Sequence, residues 1–255
     1  MTAQEKKTRI IKMVNKWNKV RWNHKKALTL FSSGAYFAIT PEDVRMWANA
    51  PVKPQNIHCY IGIENKKMYF ILIDSETDKK PLTELEGFEL DKIVIRKFNN
   101  TLDIFTPNFI DKATDGNVTV NEALSRNLRW QLMKGSWIKE QIESVRDMQV
   151  GIVRVFSSPF SDLENIVRTN SNGDILAIMG LKPQDTPKIS GKNNIYDEKS
   201  PYQLDLCFWG VNTKNRIANL RSAALTVMEA SSPVEDLTVI CPPYKEESYS
   251  LIFTE

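Results

Sequence analysis

The sequence predicts an α+β protein: N-terminal helices with an antiparallel sheet, followed by a half that alternates more regularly between helix and strand, in the α/β manner. Three observations carry this reading. Apolar residues recur at helical spacing through residues 5–31 and again after Thr119. Two β-rich runs, Ile57–Ile63 and Met68–Asp74, flank the polar turn Glu64-Asn65-Lys66-Lys67. Beyond residue 150, short β-rich runs are separated by helix-start patterns and turn-rich stretches.

The first segment reads as one amphipathic helix over residues 5–31. At 100° per residue Ile10, Met13, Val14, Trp17, Val20, Ala27, Leu28 and Phe31 share a broad face. Lys12, Lys16, Lys19 and Lys26 fall on the other. Arg21 and His24 lie within the apolar arc, and Trp22 projects away from the main stripe. Ser32-Ser33-Gly34 ends the helix. Thr40-Pro41-Glu42-Asp43 supplies an N-cap, a proline at the first helical position and early acids, so a short helix should run to about Asn49.

In the first hairpin strand Ile57, Cys59, Ile61 and Ile63 alternate onto one face. Strands are also expected at Lys92–Phe98 and near Leu102–Phe105. Thr119-Val120-Asn121-Glu122 is a capping-box pattern opening a long helix to about Val145. Leu124, Leu128, Ile138, Ile142 and Val145 are its core candidates, with Trp130 and Trp137 beside them, and Gly135 marks a close crossing. Then come a strand at Val150–Phe156, a helix opened by Ser161-Asp162-Leu163-Glu164, and strands at Asp174–Leu181 and Tyr202–Trp209. A helix over Lys214–Ala230 and strands at Asp236–Cys241 and Tyr249–Phe253 complete the chain, with an exposed loop at Leu181–Pro201. Residues 1–115 thus form an N-terminal helical and β-hairpin region and residues 116–255 an alternating helix/strand region, either as two units or as one continuous domain.

The charge is segregated. Residues 1–30 hold nine Lys/Arg and one acid, Glu5, a net of +8, so the other 225 residues must sum to −5 for the chain to reach +3. Three widely spaced cysteines, Cys59, Cys207 and Cys241, make neither a disulfide framework nor a CxxC motif. Ala27–Ile39 follows a basic region as a signal sequence would, but Thr29, Ser32, Ser33 and Gly34 dilute it. A cytoplasmic protein without a transmembrane segment is expected.

No motif names a reaction. The two histidines, His24 and His58, cannot build a zinc site with neighbouring thiols, because His58 and Cys59 are adjacent in a strand and point to opposite faces. Cys241, at a strand end, has no protease or transferase context. GxSxG, phosphate-loop and dinucleotide patterns are missing, and only 10 glycines are available. Asp74, Glu76 and Asp78 match the first ligand positions of a calcium loop, but Lys79 and Leu85 stand where glycine and a bidentate glutamate are needed. That turn is expected to be solvated. Asp205, between Leu204 and Leu206, is expected on a wet strand face.

No catalytic residue, metal site or cofactor is therefore assigned. The functional candidates are Lys12, Lys16, Lys19 and Lys26, as a surface for an acidic protein partner or a polyanion. The expected role is a non-catalytic binding or assembly component, with self-assembly as one form of it. The rivals are a hydrolase or transferase using dispersed carboxylates and an anion-binding helix start at Asn212–Arg216, and a nucleic-acid binder; a membrane surface is a further use of such a helix.

Overall fold

A computed structural model describes residues 2–100, 120–143, 152–169, 173–183, 201–211, 239–241 and 249–251. Its elements are α1 (Ala3–Val20), α2 (His24–Phe31), β1 (Tyr36–Ile39), α3 (Pro41–Ala48), β2 (Asn56–Glu64), β3 (Lys67–Asp74), α4 (Phe88–Asp91), β4 (Val94–Lys97), α5 (Val120–Glu143), β5 (Val155–Pro159), α6 (Phe160–Thr169), β6 (Asp174–Pro183), β7 (Tyr202–Val211) and β8 (Val239–Cys241). Two antiparallel sheets result, ordered β4-β3-β2-β5-β8 and β1-β6-β7, so the class is α+β. Both sheets draw strands from either side of residue 115.

The helix starts follow local chemistry. Thr2 caps α1 through a reciprocal box with Glu5, and Thr40 caps α3 through the same arrangement with Asp43. The Thr2 cap places the true start of the helix ahead of residue 5, where the apolar spacing begins it. The single helix expected over 5–31 is in fact two. The chain turns after Val20, and the Asn23 side chain accepts a hydrogen bond from the Lys26 backbone to open α2. Apolar spacing stays in phase across the break, so periodicity alone does not reveal it.

The β2–β3 hairpin closes through Asn65 and Lys66, both left-handed at φ 49° and 61°. Two such residues give the turn whose twist matches that of the strands. Alternation then sorts β2: Ile57, Cys59, Ile61 and Ile63 enter the main core, whereas His58, Tyr60 and Gly62 face α1, the 77–93 segment and residues 249–251. The main core lies between the sheets. Phe37 of β1 stacks on Phe70 of β3 with centroids 4.2 Å apart, and Trp17, Phe31, Trp130 and Trp137 form a chain of edge-to-face contacts across three helices. Burying each such side chain is worth about 1.5–3 kcal/mol.

Helix α5 seals the opposite face of the three-stranded sheet. It approaches so closely that a Cβ on Gly180 would stand 2.9 Å from the Arg126 Cβ. Asn127 and Arg129 donate to the β6 carbonyls of Met179 and Leu181, and Trp137 donates to Tyr202.

Several expectations shift. Leu128 is 59% exposed, outside the core. Gly135 meets α2, but a Cβ there would lie an ordinary 3.8 Å from Leu28. The strand expected at Val150–Phe156 starts only at Val155, because the carbonyls of Ile152 and Val153 accept from Arg21 and Trp17 instead of a neighbouring strand. Helix α6 begins at Phe160, so Ser161 lies inside it rather than capping it. Of the strand expected at Tyr249–Phe253, Ser250 and Leu251 instead lie in a turn, and residues 252–253 lie outside the described residues. The four-residue β1 was hidden between a glycine and a helix cap. The segment weighed as a targeting sequence supplies Ala27, Leu30, Phe31, Phe37 and Ile39 to the core. The expected features at Leu102–Phe105 and Lys214–Ala230 lie outside the described residues, as does most of the loop at Leu181–Pro201.

Candidate functional site

Helix α1 crosses the outer face of the five-stranded sheet with Ile10, Met13 and Val14 buried beneath it, while Trp17 reaches the main core. Its cations divide into two groups. Lys6 donates to the Leu90 carbonyl at 2.5 Å and Lys7 to that of Thr83 at 3.0 Å, while Arg9 grips both carboxylate oxygens of Glu64 at 2.8 and 2.7 Å. The shared hydrogen bond raises the Arg9 pKa and lowers that of Glu64, with nearby Lys16 adding to the latter shift. Burial lowers the Lys6 pKa, against the pull of Asp91. Lys12, Lys16 and Lys19, by contrast, are exposed and make no hydrogen bond or ion pair among the described residues.

The tryptophans separate in the same way. Trp17 is fully buried and donates its indole N–H to the Val153 carbonyl at 2.9 Å. Trp22 is half-buried, with the guanidinium of buried Arg21 4.2 Å from its ring centroid. Lys26 is exposed, but it belongs to α2, whose axis is set independently by the Asn23 cap. The folded chain brings Lys12 and Lys16 together on one ridge with Lys19 one turn further along; Lys26 is carried by the next helix.

A groove of about 460 Å³ runs between α1 and the β2–β3 turn. Thr8, Arg9, Lys12 and Lys16 line one wall, and Ile63, Glu64 and Asn65 the other, with Glu5 at its N-terminal end. Lys67 pairs across the strands with Glu64, which puts it on the sheet face that α1 covers; Lys66 is the adjoining turn residue. Both are exposed and make no ion pair among the described residues. Nothing local distinguishes them from ordinary turn lysines.

The acidic turn after β3 is buried, not solvated. Asp74 accepts from the Thr77 backbone and hydroxyl at 2.9 and 2.7 Å. Asp78, 1% exposed, accepts from His58 Nδ1 and the Tyr60 hydroxyl at 2.6 Å each, and from the Ser250 hydroxyl and backbone at 2.5 and 3.3 Å. Residues 249–251 supply what the local sequence could not announce: Ser250 closes on the carboxylate, Tyr249 packs on the His58 ring and Leu251 is buried. The Ser250 hydroxyl donates to Asp78, not to the imidazole, so these groups do not form a serine–histidine–aspartate relay. The Tyr60 pKa is raised mainly by burial and further by Asp78.

Asp205 is likewise buried, at 0% exposure, rather than on a wet face. Arg126 of α5 donates to it at 2.8 Å, its own backbone neighbour Leu206 donates at 2.9 Å, and Lys182 lies 3.8 Å away. Helix α5 covers the face that alternation had left open. Cys59 and Cys207 are buried free thiols; burial pushes the Cys59 thiol well up, which makes it inert as a nucleophile. No cluster of three or more His, Cys, Asp or Glu able to hold a metal occurs among the described residues. Asn212–Arg216, the expected anion-binding helix start, lies outside them.

No helix among the described residues is long and apolar enough to cross a membrane. Comparison with protein-family models, curated proteins and solved structures returned no match. The fold and site thus define a two-sheet α+β protein with a basic ridge seated on the outer face of its larger sheet.

Proposed function

We propose that the protein is a non-catalytic binding or assembly component that docks an acidic protein surface on the ridge of α1. The observation that carries this reading is the division among its cations: Lys6, Lys7 and Arg9 are tied into the fold by hydrogen bonds, whereas Lys12, Lys16 and Lys19 make no hydrogen bond or ion pair among the described residues. Like charges at i,i+4 and i,i+3 repel by about 0.2–0.5 kcal/mol per pair. An acidic partner relieves that repulsion and is steered to the ridge by its field. The apolar face of α1 is buried against the sheet, so it is not available for insertion into a lipid surface. A reducing, cytoplasmic setting suits the buried free thiols Cys59 and Cys207.

The test is fluorescence anisotropy with a fluorescein-labelled poly-glutamate peptide at low and raised salt. Wild type should bind at low salt and lose the peptide as salt rises, and the K12E/K16E/K19E variant should not bind. Absence of wild-type binding at low salt, or equal binding by the triple variant, overturns the proposal.

A further inference from the structure

We infer that the acid-binding site is composite: the groove between α1 and the β2–β3 turn takes an extended acidic segment of a partner protein, with Lys12 and Lys16 on its α1 wall and Lys66 and Lys67 supplied by the turn beside the Ile63–Asn65 wall. The inference rests on the docking role proposed above and adds its second wall, its shape and the form of its occupant.

Four observations lead to it. The groove is an open surface concavity of about 460 Å³. Its hairpin wall is fixed by the left-handed Asn65-Lys66 turn and anchored to α1 by the Arg9–Glu64 double hydrogen bond, so the two walls are held in register before any partner arrives. Lys67 lies opposite Glu64 in the ladder, which assigns its side chain to the α1 side of the sheet. None of Lys12, Lys16, Lys66 and Lys67 has an ion-pair partner among the described residues.

The pattern of sign favours a protein segment over nucleic acid. Glu5 and Glu64 also line the groove, and Glu64 already neutralises Arg9. A phosphodiester chain carries a charge at every step and would meet those carboxylates. A polypeptide can space its acids to face the lysines and set neutral residues against Glu5 and Glu64. Among the described residues, none that lines the groove is aromatic and able to stack on a base.

The experiment compares two double variants, K12E/K16E and K66E/K67E, against the same labelled poly-glutamate peptide, with far-UV circular dichroism confirming that each is folded. All four side chains are exposed, so neither variant removes a core contact. Each should weaken binding about five- to tenfold, as expected for reversing two exposed charges. If K12E/K16E weakens binding and K66E/K67E does not, the composite groove is overturned while docking on α1 stands. If neither weakens it, both are overturned. Labelled single-stranded DNA or vesicles containing phosphatidylserine binding more tightly than the peptide, with the same loss in both variants, would overturn the acidic segment as the occupant.

Discussion

Met13 of α1 rests directly on Gly62 of β2: a Cβ on the glycine would stand 2.9 Å from the Met13 Cβ and 3.0 Å from the Ile71 Cδ1. The seat of the basic helix therefore depends on a missing side chain in the strand beneath it. Gly62→Ala should destabilise the protein by about 1–3 kcal/mol through overpacking. Gly135→Ala is the contrast, since its Cβ would meet only Leu28 at 3.8 Å in the middle of α5. That change should stabilise by about 0.5–1 kcal/mol. Urea denaturation of the two variants reads both signs.

Removing the Asp78 carboxylate leaves His58 Nδ1, the Tyr60 hydroxyl and both Ser250 donors without their acceptor. Each stranded buried group costs about 1–3 kcal/mol, so Asp78→Ala should lose about 3 kcal/mol or more. Glu76→Ala, whose partly exposed carboxylate pairs with Lys79, should change stability by less than about 0.5 kcal/mol. Equal denaturation midpoints for the two variants would contradict the burial of Asp78.

The Arg126–Asp205 pair should behave as a buried ion pair. Arg126→Met or Asp205→Leu alone should cost about 1.5–3 kcal/mol, the loss of a charged buried hydrogen bond, because Lys182 still faces Asp205 and Glu122 still accepts from Arg126 Nε. The double variant should recover most of that loss. Additive losses in a double-mutant cycle would show that the two residues do not act together.

Partial burial raises the pKa of Asp162 above 3.8, against a lowering hydrogen bond from Ser161. An acid held above its unfolded value is more stable protonated in the fold. Its contribution is fully present below pH 3.8 and is lost as pH rises through the folded value. Asp162→Asn should therefore raise the melting temperature at neutral pH, and the advantage should vanish below pH 3.8. Paired thermal melts across that range check the sign.

Lys26 separates the helix it was expected to share from the helix it occupies. If the ridge of α1 is the docking surface, Lys26→Glu should change poly-glutamate binding by less than about twofold, against the larger loss for Lys12→Glu/Lys16→Glu. An equal loss would extend the surface onto α2.

Much of this architecture is local and could be read directly. The Thr40 cap, the β2 alternation and the position of the β2–β3 turn each depend on residues within a few positions of one another. The exposure of Lys12, Lys16 and Lys19 follows from the same helical projection. These features rest on backbone geometry and solvent preference over one or two turns, which short-range sequence encodes. What only the tertiary structure decided is who covers whom. Asp78 and Asp205 looked wet because the groups that bury them, Ser250 and Arg126, lie 172 and 79 positions away. The break at residues 21–23 became visible only when Arg21 and Trp17 found carbonyls beyond residue 151. Lys66 and Lys67 acquired their place beside α1 only when Arg9 closed on Glu64, 55 positions along the chain. Periodicity tells which face of an element avoids water, but the burial of a polar side chain depends on a distant segment that can satisfy its hydrogen bonds.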